Sequence, residues 1–129
     1  NREPQASVPG EIVASHEFYD YEDKYVDGAC DLLVPAPLDE AESAEVRRLA
    51  VRAYQALRCD GLARVDFFLE PGGRGFLVNE VNTIPGFTPV SMYPRLWQAS
   101  GLSYPDLIDE LVSLAVERHE RRSRFSTKR

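Results

Sequence analysis

Apolar positions recur with two periods along this chain, and the periods separate strands from helices. Val65, Phe67 and Leu69 recur every second residue. The run Phe76-Leu77-Val78 follows after the Gly-rich turn Pro71-Gly72-Gly73-Arg74-Gly75. This pattern predicts an antiparallel hairpin over about 62–82. Two shorter strands are predicted over 11–14 and 31–34, the second stopped by Pro35 and Pro37. Helical spacing appears in Val46, Leu49, Ala50, Ala53, Tyr54 and Leu57. Asp39 is placed to cap that helix, with Glu42 three residues later, and Asp60-Gly61 is the expected stop. A short helix is predicted from an N-cap at Ser91 to about Ser100, with Pro94 tolerated in its first turn and Gly101 after it. Ser103 then caps a last helix whose buried stripe is expected to be Leu107, Ile108, Leu111, Val112 and Ala115. Residues 1–7 and 83–89 read as loops, and the aromatic, charged, aperiodic stretch 16–31 as a long ordered functional loop. The element order predicts an α+β fold, a mainly antiparallel sheet with helices packed on one side.

Side-chain alternation on the hairpin gives the chemistry. Arg64, Asp66 and Phe68 share one face of the first strand, and Val78, Glu80 and Asn82 share one face of the second. A turn centred on Gly73 puts Asp66 opposite or nearly opposite Glu80. Two carboxylates and an amide oxygen then converge beside a guanidinium. Such an oxygen-rich cage suits a hard divalent ion, and the fixed positive charge suits a phosphate. The plainer alternative is a solvated Glu-Asn face and a weak Asp-Arg surface pair. The apolar flanks argue for the metal reading, because acids within buried strands are costly unless paired or ligating.

The sequence RVDFF, NEVNTIPGFT and SMYP, in that order, resembles the C-terminal part of D-alanine–D-alanine ligases of the ATP-grasp superfamily. The likeness runs from about Val8 to about Ala115. It implies an ATP-grasp C-terminal domain over 1–116, with a mobile loop at about 16–31 that contains Phe18-Tyr19-Asp20-Tyr21-Glu22-Asp23-Lys24-Tyr25. It further implies ATP-dependent joining of two D-alanines through an acyl phosphate, for peptidoglycan precursor synthesis in the bacterial cytoplasm.

By the same resemblance, Asp66, Glu80 and Asn82 match ligands of two Mg²⁺ ions (Mn²⁺ in their place is compatible), with Glu80 bridging them. Arg64 matches the catalytic arginine, although simple pairing with Asp66 is its plain alternative. Gly86 matches the glycine facing the tetrahedral intermediate, and Ser91 the residue holding the second substrate's carboxylate. An ordinary Pro-Gly turn and an ordinary helix cap are their alternatives. Phe68 matches the residue packing on adenine, though its spacing alone would make it core. Lys24 matches the lysine reaching the terminal phosphate and Tyr25 the tyrosine beside the second substrate; a solvated lysine and a half-buried tyrosine are the alternatives. The span from Asp66 to Glu80 is one residue longer than in some relatives, which reads as a longer surface turn. Nothing matches the family's upstream half, with its first-substrate domain and phosphate-gripping lysines. The implied partners are therefore ATP, D-alanine and the upstream part of the ligase, and the implied parent enzyme is a homodimer.

Composition narrows the classes. The chain has 129 residues, 43% hydrophobic, enough for one modest core. No apolar run approaches the roughly 20 residues of a membrane span, so no membrane partner is expected. The net charge of −6 argues against nucleic acid. Residues 117–129 hold six basic and two acidic side chains and read as a basic, flexible tail. Cys30 and Cys59 have no metal-ligand spacing and read as a reduced pair. The chain opens on Asn1 and its one methionine is Met92, so a fragment or processed piece is expected.

Three functions compete on this reading. The leading one is the dipeptide ligase. A D-alanine–D-lactate or D-serine ligase is the near alternative. In the lactate-using relatives a loop histidine takes the region of Tyr25, so the Tyr-rich loop favours the dipeptide enzyme. A non-catalytic module on the same scaffold is the third, and it would not need Arg64, Asp66, Glu80 and Asn82 together.

Overall fold

The computed structural model describes residues 3–14 and 30–125. Strand β1 (Glu11–Ala14) pairs antiparallel with β2 (Cys30–Leu33). Strand β3 (Arg64–Glu70) pairs antiparallel with β4 (Gly75–Asn82). The antiparallel pairing matches the expectation, but among the described residues it forms two separate two-stranded ladders and not one sheet.

Helix α1 (Glu40–Ala56) begins with a complete capping box. Asp39 Oδ1 accepts from the Glu42 N–H at 2.7 Å, and Glu42 Oε1 accepts from the Asp39 N–H at 3.3 Å. The helix ends four residues before the predicted Asp60-Gly61 stop. Leu57 is the C-cap and Arg58 takes the left-handed backbone at φ 53°. The Arg58 N–H donates to the Gln55 carbonyl and the Cys59 N–H to the Tyr54 carbonyl, closing a Schellman motif. Glycine is the usual residue at that left-handed position, so an arginine there gives no visible stop signal. Leu57, expected on the apolar face, is consequently left 62% exposed.

Helices α2 (Met92–Ala99) and α3 (Tyr104–Arg124) pack on each other, while α1 packs on the β3–β4 hairpin. Ser103 caps α3 by accepting from the Asp106 N–H at 3.2 Å. The helix continues well past the expected end of the domain near 116, so residues 117–124 are helix and not tail; 126–129 lie outside the described residues. No glycine or proline interrupts 117–124, and Arg121, Arg122 and Arg124 suit the negative end of the helix dipole. Arg118 Nε and Arg121 Nη2 also reach back to Asp60, at 3.1 and 3.7 Å, tying the helix to the loop ahead of β3.

The buried face of α3 is narrower than its apolar stripe. Leu107 is buried and Leu111 half-buried, but Ile108, Val112 and Ala115 are exposed, with Val112 at 58%. The covered row is thus the one holding Leu107 and Leu111, and the neighbouring row faces outward. The first described segment is extended and tied at three points. Arg47 donates to the Ala6 carbonyl, the Val8 N–H to Ser100 Oγ, and the Ala36 N–H to the Pro9 carbonyl.

Among the described residues the fully enclosed apolar core is small: Val46, Tyr93 and Leu107, with Pro94 beside them. Burial pushes the Tyr93 phenol above its usual pKa, which keeps it neutral. A wide hollow bordered by Phe67, Leu69, Leu96, Trp97, Leu111 and Leu114 opens between the hairpin and the helices. The folded chain thus leaves much apolar lining half-covered.

The capping box yields a stability prediction. Asp39→Ala removes the side-chain acceptor of the Glu42 N–H, while the backbone N–H of residue 39 stays available to Glu42; it should cost about 1 kcal/mol, a fall of about 3–6 °C in melting temperature. Asp39→Asn keeps an acceptor and should stay within a few tenths of a kcal/mol of the parent. Thermal unfolding followed by circular dichroism distinguishes the two, and equal losses would refute the capping assignment.

Candidate active site

The hairpin brings the four predicted residues into two facing pairs. Asp66 lies opposite Glu80, and Arg64 opposite Asn82. Arg64 grips Asp66 with both arms of its fork, Nε to Oδ1 at 2.8 Å and Nη2 to Oδ2 at 2.9 Å. Its Nη2 also stands 3.5 Å from Glu80 Oε1. Arg64 and Asp66 are about three-quarters buried, while the Glu80 side chain is half exposed. One guanidinium thus bridges two carboxylates on a single face of the hairpin.

The pairing is as predicted, but it arises differently. At the tip, Glu70 faces Gly75, and that register continues to Phe67 opposite Val78. Continued further, it would set Asp66 against Asn79 and Arg64 against Val81. A β-bulge between Asp66 and Phe67 takes up Asn79 and shifts the ladder by one residue. Val78 therefore pairs with Phe67, and the expectation that it shares the face of Glu80 and Asn82 is corrected. The residue taken up by the bulge lies in the strand, next to the carboxylates. Phe68 lies opposite Leu77 and is 62% exposed, so it is not core.

Beyond β4 the chain is held at successive points. Asn82 Oδ1 accepts from the Ile84 N–H at 3.0 Å, an Asx turn that fixes which end of the amide is oxygen. Pro85 is buried. The Phe87 ring packs between Tyr93 and Tyr104, with centroid separations of 6.0 and 5.5 Å. The Tyr104 hydroxyl donates to the Phe87 carbonyl at 2.8 Å. Gly86 has no unusual φ; the constraint on it is space. A Cβ there would sit 3.3 Å from Ser91 Oγ, closer than an ordinary contact.

Ser91 begins α2, as predicted, but its side chain does not cap it. A capping hydroxyl accepts from the second or third helical N–H, and the third residue here is Pro94, which has none. The hydroxyl turns instead to Thr88. It accepts from the Thr88 N–H at 2.9 Å and lies 2.7 Å from Thr88 Oγ1. Thr88 was not singled out from sequence; the signal that could have found it is the Thr-x-x-Ser spacing ahead of a helix whose third residue is proline. Lys24 and Tyr25 lie outside the described residues.

The donor set fits a hard cation. Among the described residues no group of three or more His, Cys, Asp or Glu side chains converges for a metal. This set is two carboxylates and an amide oxygen, and Mg²⁺ uses few protein carboxylates beside substrate phosphates. A carboxylate offers about four lone-pair sites and an amide oxygen two. The Arg64 fork and the Ile84 N–H therefore leave acceptor capacity on Asp66 and Asn82.

The chain is similar to known proteins along most of its length. Residues 1–113 match the family model described as D-ala D-ala ligase C-terminus. A D-alanine–D-alanine ligase of Streptomyces griseus is 60% identical over 117 residues, 89% of this chain and 29% of that protein. The structure of the D-alanine–D-alanine ligase from Coxiella burnetii aligns with TM-score 0.78 and 40% identity, over 95% of this chain and 31% of that one. The VanG D-Ala:D-Ser ligase from Enterococcus faecalis gives TM-score 0.71 and 41% identity, over 81% and 30%. The D-alanine–D-alanine ligase from Bacillus anthracis complexed with ATP gives TM-score 0.64 and 28% identity, over 70% and 31%. The chain thus spans about a third of the length of these relatives. The fold is the expected α+β arrangement of the ATP-grasp C-terminal part, and this chain belongs to the D-alanine–D-alanine ligase C-terminus family.

Proposed function

We propose that this chain supplies the metal-holding and second-substrate part of an ATP-dependent ligase that joins two D-alanines. The observation that carries the reading is the facing arrangement of Asp66, Glu80 and Asn82 around Arg64. Asp66, Glu80 and Asn82 would hold Mg²⁺ or Mn²⁺, with Glu80 as the more exposed of the two carboxylate ligands. Bound there, the ions would neutralise phosphate charge while ATP activates the first carboxylate as an acyl phosphate. The chain's own residues do the rest. Arg64, oriented by its fork on Asp66, presents positive charge toward transferring phosphoryl oxygens and the developing oxyanion. Phe68, exposed on the same strand, offers an apolar surface to adenine. Gly86 leaves room for close approach of the reacting carbonyl, and Ser91 holds the second substrate's carboxylate. Lys24 and Tyr25 complete the site from the loop.

ATP as substrate is supported by the ATP complex of the Bacillus anthracis relative. The longer relatives and the open hollow both support a requirement for the upstream part of the ligase. A cytoplasmic homodimer is the proposed parent assembly; no described helix is long and apolar enough to cross a membrane. The likeness to a D-Ala:D-Ser ligase favours one second reading, in which the second substrate is D-serine.

Two experiments test the proposal on the ligase completed by its upstream part. Phosphate release is measured with ATP, Mg²⁺ and D-alanine. Glu80→Gln keeps shape and removes a ligand charge, and Arg64→Lys keeps charge and removes the fork. Each should lower kcat by about a hundredfold or more. Glu70→Gln, at the far end of β3 where Glu70 pairs with Arg74, should change it little. Equal mild effects for all three would refute the site, and robust turnover by this chain alone would refute the need for the upstream part. The second experiment is product analysis with D-alanine, D-serine and D-lactate supplied together between pH 6 and 9. D-Ala–D-Ala should dominate throughout. A main product of D-Ala–D-Ser would select the second reading, and depsipeptide at about pH 6 would show that Tyr25 is misassigned.

A further inference from the structure

A serine hydroxyl has one proton and two acceptor sites. For Ser91 one acceptor site is taken by the Thr88 N–H at 2.9 Å. The remaining contact, 2.7 Å to Thr88 Oγ1, runs in either direction by distance alone. If Ser91 donates to Thr88, its proton is spent inside the loop. If Thr88 donates to Ser91, both acceptor sites are filled and the single proton points outward. A carboxylate has no proton to give, so it selects the second arrangement: Thr88 to Ser91 to ligand. An ammonium would select the first. Each donor in that chain polarises the next, and the terminal bond is made to a charged acceptor.

The surroundings keep this pair free for the task. Pro94 removes one of the two helix N–H groups that the hydroxyl would cap, and Ser91 makes no cap bond. Gly86 leaves the space a methyl group would take beside the oxygen. The Ser91 N–H donates to the Thr88 carbonyl at 3.0 Å, so the two residues are locked together by backbone as well as side chains.

We propose that Thr88 is a positioning residue that commits the Ser91 hydroxyl to donate outward, making this corner selective for the carboxylate end of the second substrate. The inference rests on the role given to Ser91 above. It is tested in the completed ligase by steady-state kinetics, with the second D-alanine's KM resolved from the first by the dependence of rate on D-alanine concentration. Thr88→Val keeps the shape and the N–H and deletes one neutral hydrogen bond; it should raise that KM about three- to tenfold. The KM values for ATP and the first D-alanine should stay put, and kcat should move less than about twofold. Thr88→Ser should restore the parent KM. In a Ser91→Ala background, Thr88→Val should add nothing, because it acts only through Ser91. Thr88 is exposed, so both variants should fold, which circular dichroism checks. An unchanged KM in Thr88→Val, beside a raised one in Ser91→Ala, would overturn the role of Thr88 alone. A full Thr88→Val effect surviving in Ser91→Ala, or a rise in all three KM values, would mark a merely structural residue and overturn it too. No KM effect in Ser91→Ala would remove the role of Ser91 and this inference with it.

Discussion

Everything in the candidate site depends on the register of β3 against β4. Strand side chains alternate faces, so a slip of one residue would move Glu80 and Asn82 away from Arg64 and Asp66. Two devices hold the register. At the tip, Gly72 and Gly75 take positive φ and the Gly73 N–H closes onto the Glu70 carbonyl. Near the site, the bulge at Asn79 shifts the ladder by the one residue needed to set Glu80 opposite Asp66. Bulges also bend and twist a strand locally, and this one does so immediately beside the acids. The Arg64 fork then adds a third constraint, because its planar geometry accepts the Asp66 carboxylate in one orientation.

The loop between β4 and α2 extends that rigidity to the second half of the site. It has little regular structure, yet Asn82, Phe87 and Thr88 each anchor it by a different interaction. Asn82 closes an Asx turn, the Phe87 ring packs on two tyrosines, and Thr88 binds Ser91. Tyr104 couples the loop to α3 through its hydroxyl. A site on a loop is positioned well only when the loop's own groups are satisfied. Here the helix start contributes direction, and proline at its third position leaves the serine hydroxyl to other partners.

The packing is uneven: polar groups are satisfied locally while much apolar surface is left half-covered. Most globular chains of this length bury several large apolar side chains completely. Here, among the described residues, that set is small, and Ile84, Val90 and Phe125 are each more than three-quarters exposed. Polar structure, by contrast, is locally complete: caps, the Schellman end, the Asx turn and the Arg64 fork all close within short stretches of chain. Local hydrogen bonds need only near neighbours, whereas an apolar core needs all the layers that bound it.

The sequence by itself determined a good deal. Alternation placed the hairpin, Asp39 and Glu42 marked the start of α1, Ser91 and Ser103 marked the next two helices, and the motif residues identified the family. These are signals carried by adjacent residues or by a fixed period, which is why they survive without three-dimensional context. The tertiary structure decided what depends on exceptions or on distant partners. Arg58 in a left-handed conformation ended α1 early because its neighbours' carbonyls were available, not because its side chain prefers it. The outward turn of Ile108 and Val112 followed from which row of α3 the fold covers, the one holding Leu107. The continuation of α3 past Val116 followed from helix-forming residues whose charges read as a tail, with Asp60 brought close by the fold. The bulge at Asn79 was invisible because pattern reading assumes an unbroken period of two. Thr88 left only a faint signal, the Thr-x-x-Ser spacing, because the value of its hydroxyl lies in meeting Ser91 after the chain has turned.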